Sequence, residues 1–167
     1  MAKTIAEVHK SLFEKETAAT ITLIDAVDPD KRMRQLKEGK SHPLWLIGHV
    51  ANTNNLLVNM WCLEGDPLFP KDLIGKFSPD FTGGTPPSAD PSFYPSWDEV
   101  VELYKTVATA CVEGIGNLSE ELILGPLRGD APPPMKVMFG NVDDTIRATA
   151  THNAYHRGQI GIINAQD

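Results

Sequence analysis

The placement of helix-start signals along the chain is the feature that most restricts its fold. In three places a capping side chain stands three residues before a carboxylate that can reach back to it, and such a pair satisfies free N–H groups of a first helical turn. These pairs are Thr4 with Glu7, Ser96 with Glu99 and Asn141 with Asp144. A fourth start is expected at Ser41-His42-Pro43, because proline is tolerated in the first turn of a helix. The four starts predict long helices over 4–27, 42–63, 97–117 and 142–165.

Most prolines are confined to two segments between these helices. Residues 64–96 and 124–140 together contain eleven of the thirteen prolines, and proline interrupts a helix interior. Both segments also contain large apolar side chains, so we expect them to pack onto the helices. These side chains are Phe69, Leu73, Phe77, Phe81, Phe93, Tyr94 and Phe139. A shorter helix is expected to open at Asp28-Pro29 and to end by Gly39.

The chain lacks the signature of a sheet. No segment sustains the alternation of β-branched and polar residues that a half-buried strand requires. Four amphipathic helices without a sheet bury their apolar faces against one another, which predicts an all-α fold with a four-helix bundle. We expect a single domain over residues 1–167, a length that suits one sizeable core. The crossover between the second and third helices, residues 64–96, is long enough to let those helices run parallel.

Charge and cysteine content exclude several classes of function. The formal net charge is −7, and no Lys/Arg cluster offsets it, so nucleic acids and anionic membranes are not expected partners. The first residues lack the apolar run of a signal peptide, and no stretch has the ~18 uncharged residues that a membrane span needs. A cytoplasmic location is therefore expected. The only cysteines, Cys62 and Cys111, lie in apolar helical contexts that favour reduced, buried thiols over a disulfide.

The last predicted helix carries two histidines four residues apart. In the stretch THNAYHRGQ, His152 and His156 are separated by ~6 Å along the helix axis and turned by only ~40°, so both imidazoles can converge on one ion. They share a stripe that we expect to face the core. Its other members are Ala148, Tyr155, Gln159 and Ile163. Buried imidazoles need polar partners, and a metal ion is one partner that satisfies both.

A third ligand is predicted in the second helix. His49, in the stretch GHVANTNN, is expected on the inward face of that helix. Such a histidine alone is more often a core residue satisfied by its neighbours, but beside an inward histidine pair the ligand interpretation is favoured. Asn153 occupies the position where zinc proteases of the HExxH type place a glutamate base, so that chemistry is excluded. Three neutral nitrogen ligands leave coordination positions for water or substrate, as in catalytic sites.

Polar neighbours of these histidines allow more than one role. Gln159 can hydrogen-bond a metal-bound water or ligand, or it can bond the helix backbone. Asn52 and Thr53 either fix the His49 ring or are solvated. Glu16 falls on an otherwise apolar stripe, which indicates an edge carboxylate that reaches water or, less often, a general base. Gly158 is expected to allow close helix approach.

Other residues are expected to be mainly structural. His42 is expected at a helix start and His9 at the surface. The tryptophans favour packing, although Trp45, one turn before His49, can also wall a pocket. Arg147 and Arg157 either receive an anionic substrate or face solvent.

Taken together, these residues resemble the DinB-like (YfiT-like) family of metalloenzymes. In that family a histidine early in the second helix joins a last-helix motif H-x-x-x-H-x-G-Q, which here corresponds to Gly48-His49 and to His152, His156, Gly158 and Gln159. The resemblance covers essentially the whole chain. It implies an up-down-down-up bundle, a divalent metal ion held by His49, His152 and His156 with zinc or nickel most expected, and a homodimer. Some relatives are transferases or isomerases that use mycothiol or bacillithiol, which implies a low-molecular-weight thiol as a further cofactor.

Two classes of function follow from the predicted site. The first is a metal-dependent, thiol-linked transferase, isomerase or hydrolase that acts on a small molecule. The second is a metal-binding or stress-associated interaction protein without turnover. An open coordination position beside a small-molecule pocket would favour the first, whereas a site sealed by 64–96 would favour the second.

Overall fold

Every regular element of the computed structural model is helical over the residues it describes, 3–79 and 82–167. The six α-helices are α1 Ile5–Asp25, α2 Pro43–Asn54, α3 Trp97–Gly116, α4 Glu120–Leu124, α5 Pro133–Phe139 and α6 Val142–Ala165. No strand occurs in these two ranges; an isolated antiparallel bridge joins Pro126 to Asn141. The predicted all-α class is therefore confirmed.

The long helices begin where their capping signals predict. Reciprocal capping boxes close the starts of α1 and α3, with Thr4 and Ser96 as the N-caps. At α6 the Asn141 side chain accepts a hydrogen bond from the Asp144 N–H at 2.7 Å. The start of α2 is capped by an imidazole, since His42 Nδ1 accepts from the Trp45 N–H at 3.1 Å. Each cap satisfies a backbone donor that the helix itself leaves free.

The second helix differs from its predicted form of 42–63. After α2 the chain continues as a π-helical turn, Asn55–Met60, and Glu64 has a positive φ of 56°. Side-chain amides stabilise this wide turn: Asn55 Oδ1 accepts from the Leu68 N–H at 2.9 Å, and Asn59 Nδ2 donates to the Asp66 carbonyl at 2.7 Å. These bonds tie the end of the helix to the first residues of the crossover.

The segments between the long helices differ from the prediction in two ways: two unpredicted short helices are present, and one predicted helix is much shorter. The short helices α4 and α5 are not among the predicted ones. Helix α5 starts at three consecutive prolines, Pro132 to Pro134, which fix the backbone of its first turn. The expected helix from Asp28 towards Gly39 is reduced to one 3₁₀ turn, Pro29–Lys31. The described part of the crossover includes the 3₁₀ turns Gly75–Phe77 and Pro91–Phe93.

The four long helices enclose two apolar clusters. Helix α1 packs against α3 and α6, and α2 packs against the same two helices. One cluster includes Ile24, Ile47 and Tyr104, and the other includes Phe13 and Cys111.

The crossover packs onto this core as predicted. Its side chains Phe69, Leu73, Phe77 and Tyr94 are buried in the first cluster, and Phe93 packs against it. Phe139 is partly buried against the second cluster, and Phe81 lies outside the described residues. None of the helices in the described ranges combines the length and apolar character that a bilayer span demands.

Candidate metal centre

The histidine pair of α6 lies at the edge of the buried face. The side chains that α6 buries include Ile146, Asn153 and Ile160, whereas Tyr155 is 63% exposed. The prediction that the stripe from Ala148 to Ile163 faces the core is therefore wrong for much of its length. Helix α6 packs against both α1 and α2, so its most buried side lies between these two helices. The two histidines lie next to that side and face α2.

Three imidazoles meet between α2 and α6. His49 Nε2 lies 3.1 Å from His152 Nε2, and His156 Nε2 lies 3.0 Å from the same atom. His49 is buried, and the two histidines of α6 are half-buried. His152 and His156 are four residues apart on α6, and His49 faces them from α2. The three predicted residues therefore come together.

The opposite ring nitrogens reveal the tautomers of two of these histidines. His49 Nδ1 lies 2.9 Å from the Phe77 carbonyl oxygen, and His156 Nδ1 lies 2.6 Å from Gln159 Oε1. Both oxygens can only accept, so each Nδ1 carries the proton and each Nε2 presents a lone pair. His152 Nδ1 is buried and has no hydrogen-bond partner among the described residues. A single proton on His152 Nε2 can therefore satisfy only one of the two lone pairs that face it.

Burial holds these imidazoles in the neutral form. Desolvation lowers the pKa of His49 to about 4 and, together with the neighbouring histidines, lowers the pKa of His152 to about 3. The pKa of His156 is also lowered by burial. Because only the neutral ring can donate its lone pair to a metal, the three imidazoles are at neutral pH in the form that could hold a metal ion.

The donor set fits a divalent metal ion. Metal–nitrogen bonds of 2.0–2.1 Å in a tetrahedral site place ligand nitrogens about 3.3 Å apart, close to the separations of 3.0 and 3.1 Å between the Nε2 atoms. Three imidazole ligands from α2 and α6 would leave at least one coordination position of such an ion free. A shared cation would also satisfy the lone pair that hydrogen bonds leave without a donor.

The Trp45 ring stacks on one face of the His49 ring. The two rings are stacked with centroids 4.7 Å apart and planes at 11°, and Trp45 Nε1 donates to the Lys76 carbonyl at 2.9 Å. Since Trp45 is only 4% exposed, it packs beneath the ligand and offers little surface to a substrate. Trp61 is buried in the second cluster and Trp97 packs against the first, as expected for packing residues.

Gln159 has a role that the sequence reasoning missed. Its Oε1 orients His156, while its Nε2 donates to the Tyr155 hydroxyl at 3.2 Å. The spacing of three residues from His156 to Gln159 is a contact spacing on a helix and could have indicated this bond. Gly158 does not permit close helix approach, because a methyl group placed on it would meet no described atom within 4 Å.

The hydrogen bond that orients the His49 ring comes from the crossover and not from a side chain of α2. Asn52, which was a candidate for that role, donates instead to Ser78 Oγ at 3.1 Å. Phe77 supplies the partner through its backbone carbonyl. A backbone acceptor leaves no trace in residue type, so no sequence signal could have identified it.

Charged residues near α6 are paired with one another. Glu16 forms an ion pair with Arg157 at 3.2 Å, and the two side chains are 19% and 30% exposed. Arg147 bonds Asp143 and Asp144. Glu16 thus links α1 to Arg157 of α6, whereas Arg147 is 59% exposed and faces solvent beside the two carboxylates that it bonds.

His9 and His42 are both buried. His9 is 4% exposed and its Nε2 bonds Asp143 Oδ1 at 2.6 Å, so the prediction that it lies at the surface is wrong: pairing with a carboxylate on α6 compensates its burial. His42 caps α2 as predicted. Cys62 and Cys111 are buried free thiols, and burial raises the pKa of each to about 12.

No curated protein sequence matches the chain at a significant level. The model of the DinB superfamily matches residues 12–160, a range that includes His49, His152 and His156. The chain therefore belongs to the DinB superfamily.

Proposed function

We propose that the chain binds one divalent metal ion through the Nε2 atoms of His49, His152 and His156. The observation that carries this proposal is the convergence of three imidazole nitrogens that share too few protons to satisfy one another. A cation between them replaces lone-pair repulsion with three bonds. Zinc or nickel is the proposed ion, since both accept neutral imidazole ligands.

We infer an up-down-down-up four-helix bundle in a single domain over residues 1–167. Contacts between helix ends support this topology. A methyl group on Gly114, near the end of α3, would lie 2.4 Å from Cδ1 of Leu63, which follows closely on the π-helical turn that continues α2; this contact favours parallel α2 and α3. His9 bonds Asp143 near the starts of α1 and α6. Asn164, at the end of α6, accepts a hydrogen bond from the Asp28 N–H just beyond the end of α1, which favours parallel α1 and α6.

The proposed activity is a metal-dependent, thiol-linked transfer, isomerisation or hydrolysis on a small molecule. When bound, the ion supplies Lewis-acid chemistry that makes a thiol or water more acidic. The chain's own cysteines are buried with pKa values raised to about 12, so a reacting thiol has to come from a low-molecular-weight cofactor.

Tyr155 is the residue best placed to contact that small molecule. Its ring lies edge-on to His156 with centroids 5.0 Å apart, and the side chain is 63% exposed. Since its hydroxyl accepts from Gln159 Nε2, its own proton is left to donate to a bound molecule. Gln159 thus orients both a proposed ligand and a proposed substrate contact.

Elemental analysis and a metal titration test the site. Alanine at any of the three histidines should reduce zinc or nickel occupancy sharply, whereas His9→Gln should leave it unchanged, because His9 bonds Asp143 about 13 Å along α6 from His152. Full occupancy in the triple alanine variant would contradict the proposal.

An activity screen then separates the two classes of function. Metal-loaded protein is incubated with mycothiol or bacillithiol and a panel of electrophiles, esters and amides, beside His156→Ala at equal concentration. Acceleration that requires both metal and thiol supports the transferase or isomerase. Equal rates in both samples favour the alternative, a non-catalytic metal-binding or stress-associated interaction protein. A homodimer and a cytoplasmic location remain part of this proposal.

A further inference from the structure

The metal-site histidine on α2 is held from outside its own helix. Three side chains that follow one another by about one turn of α2 bond three consecutive residues of the crossover. Trp45 Nε1 bonds the Lys76 carbonyl, His49 Nδ1 bonds the Phe77 carbonyl, and Asn52 Nδ2 bonds Ser78 Oγ. Residues 76–78 of the crossover are therefore held beside α2 in a fixed register, and the bond to His49 is the middle one of the three.

A glycine makes this close approach feasible. A methyl group on Gly48 would lie 2.3 Å from Phe77 Cδ1 and Cε1 and 2.8 Å from its Cγ, distances that no folded structure accepts. Glycine inside a helix costs about 1 kcal/mol relative to alanine, so its presence in the middle of α2 calls for a packing reason. The Phe77 ring, which is fully buried, occupies the space that the missing side chain leaves.

The Phe77 ring has little freedom to yield. It lies edge-on to Phe69 with centroids 5.9 Å apart and beside Tyr94 at 5.3 Å. A side chain on residue 48 would therefore displace residue 77 as a whole, together with the carbonyl that accepts from His49. The close contact between Phe77 and Gly48 is thereby linked to the orientation of His49, the proposed metal ligand next to Gly48.

We propose that Gly48 and Phe77 form a positioning pair that makes the crossover part of the metal centre. The Phe77 ring seats against Gly48, and this contact places the Phe77 carbonyl where it holds the proton on His49 Nδ1 and aims Nε2 at the site. The inference rests on the proposed metal site. Partners of this kind typically contribute about 10- to 100-fold to metal affinity.

Zinc affinity of the full chain, measured by competition with a chelator, tests the pair. Gly48→Ala should weaken zinc binding at least tenfold. Gly114→Ala is the matched control, because a methyl group there would also overlap a neighbour, Leu63 Cδ1 at 2.4 Å, in a helix that carries no metal ligand. It should bind zinc as the unmodified protein does, even if its stability falls.

A second variant and a spectroscopic readout keep the test independent of folding. Phe77→Leu shortens the side chain that seats on Gly48 and should weaken zinc binding at least threefold. In ¹⁵N-histidine NMR spectra of both variants, the His49 Nδ1–H should lose its protection from solvent exchange. The His156 Nδ1–H, bonded to Gln159 of its own helix, should keep its protection and serves as the internal control.

The outcomes separate this inference from the proposed function. Failure of the unmodified protein to bind either zinc or nickel would overturn the metal site and the inference with it. Zinc binding by the unmodified protein with equal affinity in Gly48→Ala and Phe77→Leu would overturn the inference alone. So would an equal loss of affinity in Gly114→Ala, since the effect would then reflect general destabilisation.

Discussion

At the scale of single residues, the burial of the three histidines should determine how the proposed metal binding responds to pH. Burial lowers the pKa of His49 to about 4 and that of His152 to about 3, so protons do not compete for these nitrogens near pH 6. Burial also lowers the pKa of His156, so we expect the zinc affinity, measured by chelator competition, to fall by clearly less than about tenfold between pH 7.5 and 5.5. An exposed imidazole with an ordinary pKa near 6.5 would lose about tenfold over that range. A tenfold fall would contradict the buried, neutral site.

His42 couples the stability of the fold to pH. Its Nδ1 accepts from the Trp45 N–H and its Nε2 donates to the Ser88 carbonyl at 3.0 Å, and burial lowers its pKa from 6.5 to about 4. Between these pH values the unfolded chain binds the proton and the folded chain does not, so stability falls as the pH drops. The full loss is about 3 kcal/mol for a shift of this size. His42→Asn keeps a side chain that can cap α2 but has no group that titrates in this range. The free energy of unfolding in urea, measured from pH 7 to pH 4.5, should therefore depend less steeply on pH in this variant than in the unmodified protein. Equal dependence in both proteins would exclude His42 as the source.

At the scale of elements, the π-helical turn Asn55–Met60 joins α2 to the crossover. Asn55→Leu would leave the Leu68 N–H and the Asn59 amide without the oxygen that they share. An unsatisfied buried donor costs about 1–3 kcal/mol, so the free energy of unfolding in urea should fall by that amount. Leu56→Ala, in the same turn but 38% exposed, should cost less. A larger loss for Leu56→Ala would indicate that packing and not the amide bonds stabilises the turn.

At the scale of the whole molecule, metal binding should stabilise the assembly of α2, α6 and the crossover together. A ligand at 100 times its Kd adds about 2.7 kcal/mol to the folded state, which corresponds to a Tm rise of about 5–11 °C for a chain of this size. Scanning calorimetry with saturating zinc should show this rise in the unmodified protein and not in His152→Ala. An equal rise in both would place the stabilising ion elsewhere.

Local signals in the sequence determined the helices and the candidate ligands. A capping pair acts within one turn, which is why the starts of α1, α3 and α6 were predicted to within a residue. The four-residue spacing of His152 and His156 is likewise a property of one helix, and it identified two members of the triad without knowledge of packing. His49 required only the assumption that its helix packs against the last one.

The tertiary structure alone decided which atoms surround those ligands. The rotation of α6 between α1 and α2 places His152 and His156 at an edge, a choice that depends on two neighbouring helices at once. The burial of His9 depends on Asp143, which is 134 residues away, and the tautomer of His49 depends on the Phe77 carbonyl, 28 residues away. Sequence periodicity reports which side chains are apolar within one element, whereas these contacts form between elements and, at Phe77, through a backbone atom that every residue type possesses.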